Sequence, residues 1–192
     1  MLNIVMRIWL AISNIMWRNK NNFLFFYDYY DGEMLPSLWI KQKAEEMFQK
    51  FEYTYDKIEN ILPPDTAYFQ AYNNNKLKDD CDGFASLMYH VLCKNYETLK
   101  IENLALFCVI PLELKTLFHS HVVLGVKLSG KWYVVDYNRV YCWDNKTLLE
   151  TMESYWNNYF RDVIKAETTK HYCTSFQYNY AFRKWELAEI KD

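Results

Sequence analysis

The stretch His121-Val122-Val123-Leu124-Gly125-Val126-Lys127-Leu128-Ser129-Gly130-Lys131-Trp132-Tyr133-Val134-Val135-Asp136 decides the fold. Runs of Val, Leu and aromatic residues flank Ser129-Gly130, which reads as two strands joined by a tight turn. A two-residue loop pairs Leu128 with Lys131, so paired residue numbers sum to 259 and His121 is expected to face Asn138. Side chains alternate along a strand, so His119, His121 and Val123 share a face with Val134, Asp136 and Asn138. Asp136 then stands diagonal to His121 at about 7 to 8 Å, within reach of a long or aromatic side chain. A carboxylate or amide in that position can orient an imidazole, fix its tautomer and stabilise its charged form.

Working outward, residues 104–110 and 139–143 have the same strand character, which extends the hairpin into an antiparallel sheet. Upstream, Asp79-Asp80 is placed to cap a helix whose buried stripe is Phe84, Ala85, Leu87, Met88, Val91 and Leu92, with Cys81 in its first turn. An earlier helix is expected to open at Pro36 and to carry Ile40, Ala44, Met47, Phe48, Phe51, Tyr55 and Ile58 at helical spacing, closed off by Pro63-Pro64. The polar run over 73–80 reads as a loop. Helical spacing returns over 146–160, where Thr147 and Glu150 have capping-box spacing. A strand or strand-helix tail is expected over 172–190. Helices first and an antiparallel sheet after them argue for an α+β fold, read as one domain over residues 1–192.

Composition narrows the function classes. Half of the 192 residues are hydrophobic (51%) and 19% are aromatic, with only 4 Gly and 4 Pro, so disordered and low-complexity readings are excluded. The formal net charge of -2 provides no basic field for a phosphate backbone, and nucleic acid is not an expected partner. The five cysteines are odd in number and form no CxxC pair, which disfavours a disulfide framework or a zinc knuckle. Residues 1–17 are apolar enough to imitate a leader. They lack a basic n-region and a small-x-small site, and their Leu2, Val5, Ile8, Trp9, Ile12, Ile15 and Met16 recur as an amphipathic helical stripe. A cytoplasmic setting without membrane contact is therefore expected, and the Asn-, Lys- and Tyr-rich composition fits an AT-rich bacterial or viral genome. Oligomeric state leaves no signature.

Cys81 is the residue on which chemistry turns. Unpaired backbone N–H groups and the helix dipole favour a negative charge at a helix N-terminus, and such sites lower a thiol pKa from about 8.5 towards ~3.5 to 7.5. Asp79, Asp80 and Asp82 act in the opposite direction, so activation requires a histidine partner.

At these residues the chain resembles a known superfamily. Asp80-Cys81-Asp82-Gly83-Phe84-Ala85 is similar to the D-C-[DE]-x-[FY]-A nucleophile helix of bacterial transglutaminase-like cysteine peptidases. His121 to Val126 resembles that family's H-A-V-L-x-V strand, and Trp132 to Asp136 its following strand, in the same Cys, His, Asp order. The resemblance covers about residues 79–138. It implies a papain-like, transglutaminase-like α+β architecture in which the nucleophile helix packs on an antiparallel sheet. It also implies a catalytic set of Cys81 as nucleophile, His121 as general base and then acid, and Asp136 as orienter, acting on amide bonds of a peptide or protein substrate without cofactor or metal. Hydrolysis and acyl transfer share this chemistry, and a catalytically silent binding module shares the fold. Asn138, the residue type that papain-like enzymes use, is an alternative orienter.

Other readings of the same residues remain. His119 and His121 at i and i+2 are placed to ligate a metal with Asp136 or Cys81 as a third ligand. His90 is expected to favour its helix C-terminus, and His171 to sit in a loop or at a strand edge. Cys93, Cys108, Cys142 and Cys173 read as small buried hydrophobes. Gln70, Asn74 and Asn75 all stand available as a side-chain oxyanion donor beside the Cys81 N–H.

Overall fold

Four helices and a six-stranded antiparallel sheet make up a mixed fold in a computed structural model that describes residues 34–55, 61–113, 119–143 and 147–188. The expected N-terminal helix over 1–17, the extended stretch over 23–30 and the turn at 31–32 lie outside the described residues. Helix α1 spans Pro36–Gln49 and leads into strand β1 at Phe51–Tyr53. Helix α2 (Pro64–Asn73), strand β2 (Leu77–Asp79) and helix α3 (Cys81–Lys94) follow. The sheet strands are β3 (Ile101–Pro111), β4 (His121–Leu128), β5 (Lys131–Asp136) and β6 (Arg139–Cys142). Helix α4 (Leu148–Tyr155), a π-helical turn at Trp156–Phe160, a short helical turn at Arg161–Val163, and strands β7 (His171–Asn179) and β8 (Lys184–Leu187) complete the order. Among the described residues no helix is long and apolar enough to cross a membrane.

The sheet runs in the order β6-β5-β4-β3-β7-β8, and the period-two pattern of β3 explains its two-sided burial. Leu104, Leu106, Cys108 and Ile110 join a core with α1, α2 and α3, whereas Ala105, Phe107 and Val109 join a second core with Met152, Tyr155, Trp156 and Phe160. The β4–β5 hairpin has the expected register, from Leu128↔Lys131 to Leu124↔Val135. Gly125 is required there, because a Cβ at that position would collide with the Phe107 ring. Ser129 takes a left-handed φ of 50° in the turn beside Gly130 at 75°.

Four expectations need correction. The first helix does not continue to Ile58: it stops at Gln49, and Phe51–Tyr53 pairs in parallel with Leu77–Asp79, which the polar run had suggested was loop. Helical spacing misled at Phe51 because an apolar residue there fits a helical stripe as well as the buried strand position it takes, 5.3 Å from the Phe84 ring. Pro63-Pro64 does not simply end an element. Pro64 opens α2, where a missing N–H costs nothing and φ is already helical. Finally, the described C-terminal tail is a hairpin of two strands, paired from Phe176↔Leu187 to Asn179↔Lys184.

Candidate active site

The Cys81 position is built by β2 and the start of α3. Asp80 is the N-cap, and its side chain accepts from Asp82 N at 3.3 Å. Asp79 Oδ1 accepts from Asp80 N at 2.9 Å, and a Cβ on Gly83 would collide with that same carboxyl group. The glycine therefore lets Asp79 close against the helix end. Cys81 is the first residue of α3, partly buried, and its Sγ accepts a hydrogen bond from the backbone N–H of Val122 at 3.3 Å. The described β4–β5 pairing ends at Leu124↔Val135, short of Val122, and at that open end of β4 the Val122 amide meets the sulfur. Burial first, and then the charges of Asp82 and Asp80, push the Cys81 thiol well above its ordinary value, while the Val122 N–H opposes them. The expected lowering by the helix N-terminus is thus overcome. Burial, which the aspartates alone did not foretell, is the largest cause.

His121 lies one residue before Val122 on β4. His121 Nε2 is 2.8 Å from Asp136 Oδ1, and Asp136 Oδ2 accepts from the Tyr155 hydroxyl at 3.0 Å. Asp136 is buried, and the His121 side chain is 12% exposed. A carboxylate only accepts, so Nε2 carries the hydrogen in the neutral ring and Nδ1 keeps a lone pair for proton transfer. The imidazole stacks on Phe160 with ring centroids 4.9 Å apart and planes at 17°, and Tyr137 lies against it at 5.8 Å. Tyr137 stands at a left-handed φ of 48° in the two-residue turn to β6, closed by the Asp136↔Arg139 pair.

The other candidates separate from this group. Asn138 does not face His121, since it is exposed in that turn and the ring is bonded to Asp136. His119 is exposed ahead of β4, and the only trio of His, Cys, Asp or Glu ligand atoms gathered among the described residues is Asp79, Asp80 and Asp82, which includes neither histidine. His90 is buried against Tyr68, with ring centroids 4.7 Å apart, and burial pushes its imidazole down to about 3. It is therefore neutral and offers no charge to the end of α3, contrary to expectation. His171 opens β7 and stacks on Trp156. Cys108 is buried and Cys93 and Cys173 are partly so, but Cys142 is exposed, because it ends the edge strand β6. Gln70 lies in α2, Asn74 caps its C-terminal end, and Asn75 adopts a left-handed φ of 65°.

Sequence reasoning missed Tyr155, Phe160 and Tyr137. Tyr137 is adjacent to Asp136 and was open to notice. Tyr155 and Phe160 carry no local signal, since their contacts depend on how α4 is laid across the sheet. No protein-family model matches the chain, and no curated protein matches it. The likeness to transglutaminase-like peptidases therefore stands on the quoted residues alone.

Proposed function

We propose that this protein is a cysteine hydrolase of transglutaminase-like, papain-like architecture that cleaves amide bonds of a peptide or protein. One observation carries the reading. The imidazole of His121 is fixed by Asp136 at 2.8 Å at the same end of β4 where the next amide holds the Cys81 sulfur at 3.3 Å. In this reading His121 Nδ1 takes the thiol proton as Sγ attacks the substrate carbonyl carbon and a C–S bond forms. The Cys81 backbone N–H, at the first position of α3 where the helix itself supplies no acceptor, is available to the developing oxyanion. Collapse breaks the C–N bond, and His121 returns the proton to the leaving amine. Water then adds to the thioester with His121 as base, releasing a carboxylic acid and restoring the thiol. A primary amine in place of water gives acyl transfer.

The raised Cys81 thiol also favours a second reading, a binding module that keeps the arrangement without turnover. Both are tested with p-nitrophenyl acetate. The enzyme reading predicts a stoichiometric burst of p-nitrophenolate, an acetyl group on Cys81 by mass spectrometry, and loss of both in Cys81→Ala. Equal release by wild type and variant would refute it and leave the binding module.

A further inference from the structure

The His121–Asp136 pair is held from outside its hairpin by one helix, and the winding of that helix decides what reaches it. Helix α4 is regular from Leu148 to Tyr155 and then passes into the π-helical turn at Trp156–Phe160. In an α-helix 3.6 residues make a turn, so a residue five positions on points about 140° away from the first. The i→i+5 bonding of a π turn closes most of that angle. Tyr155 and Phe160 are accordingly stacked on each other, with centroids 5.9 Å apart and planes at 12°. Both then touch the pair: the Tyr155 hydroxyl donates to Asp136 Oδ2 at 3.0 Å, and Phe160 covers the imidazole at 4.9 Å.

We propose that the π turn is a positioning device in which Tyr155 acts through Asp136 on the proton affinity of His121, while Phe160 holds the ring in plane. The inference rests on the reading of His121 as the base. Burial and the adjacent Asp136 keep the Tyr155 phenol protonated, so it serves only as a donor. Asp136 divides its oxygens, one to each partner, and the donor at Oδ2 draws charge away from the oxygen that faces His121. That donor stabilises the carboxylate most when no imidazolium shares its charge. Removing it therefore favours the protonated ring.

Tyr141 and Tyr137 stand near Asp136 from the β5–β6 hairpin, and Cys81 and Asp80 from the start of α3, with Tyr53 from β1, stand near Tyr137. Arg139 donates to the Tyr159 hydroxyl at 3.0 Å and bonds Tyr141 as well.

The test is the pH dependence of iodoacetamide alkylation at Cys81, read by peptide mass spectrometry on the full chain. Tyr155→Phe is expected to move the acid limb to higher pH by about half a unit, a shift that weakened packing alone would not produce. Tyr141→Phe, which removes a different hydroxyl near Asp136, is expected to leave the limb in place. Phe160→Leu is expected to lower the plateau rate several-fold without moving the limb, and it tests the device independently should Tyr155→Phe fail to fold. An unmoved limb in Tyr155→Phe, an equal shift in Tyr141→Phe, or an unchanged plateau in Phe160→Leu would overturn the proposal. Wild-type rates in His121→Gln would instead overturn the base reading on which it rests.

Discussion

Two histidines of this molecule each stack on an aromatic ring, and they differ in what else surrounds them. His90 stacks on Tyr68 at 4.7 Å and 28°, and His121 stacks on Phe160 at 4.9 Å and 17°. The His90 ring is sealed between α2 and α3, where burial holds it neutral. His121 lies 2.8 Å from Asp136, which gives an imidazolium its counter-charge, and its side chain keeps 12% of its surface open. Stacking fixes where a ring lies; the carboxylate and the access to solvent decide whether it can handle a proton. A stacked histidine is therefore no sign of chemistry until its nitrogens have been followed to their partners.

The sharpest way to break this comparison is to remove each ring in turn. In the proposed mechanism His121→Gln lowers the rate of Cys81 acetylation by p-nitrophenyl acetate by about 10²- to 10⁴-fold, the usual loss for a general base, whereas His90→Gln leaves it unchanged. Equal losses in both variants would mean that the rings serve packing alone. A smaller effect is expected from His90 on stability. The unfolded chain takes up a proton near the ordinary value of 6.5 and the native ring only near 3, so the unfolded state binds more protons between them. The contribution of neutral His90 is thus complete above about pH 6.5 and is lost as pH falls, on the order of 3 kcal/mol by pH 4.5. Urea unfolding of wild type and His90→Gln at pH 7 and 4.5 checks this, with the wild type losing more than the variant on acidification.

Much of the frame was legible because it depends on neighbours in sequence. The Ser129-Gly130 turn dictated the register of β4 and β5, and the capping box of Thr147 and Glu150 is present at the start of α4. Asp80 caps α3 one residue before Cys81, as its side chain and position suggested. What escaped depends on partners distant in sequence. Phe51 satisfies a helical stripe and a buried strand equally well, and the choice falls to its parallel pairing with Leu77. The exposure of Cys142 follows from its strand being the sheet edge, which no local pattern reveals. Nothing in the run from Tyr155 to Phe160 announces a π turn, for it has neither glycine nor proline. The hydroxyl that completes Asp136 was hidden for the same reason.

The electrostatics of the two halves of the site also differ, and that difference bears on how the thiol reacts. Asp80 and Asp82 stand against ionisation of Cys81, while Asp136 and Tyr155 form an ordered anchor for His121. In the proposed mechanism Cys81 rests as a thiol and is deprotonated by the ring as it attacks.

The relative alkylation rates of the cysteines test that account most directly. Limited iodoacetamide at neutral pH, followed by peptide mass mapping, compares partly buried Cys81 with exposed Cys142 in a single sample. Activation by His121 predicts that Cys81 reacts first despite its burial, and that it falls behind Cys142 in His121→Gln. If Cys142 leads in the wild type and the order does not change in the variant, accessibility alone governs the thiols and the proposed site is not a catalytic one.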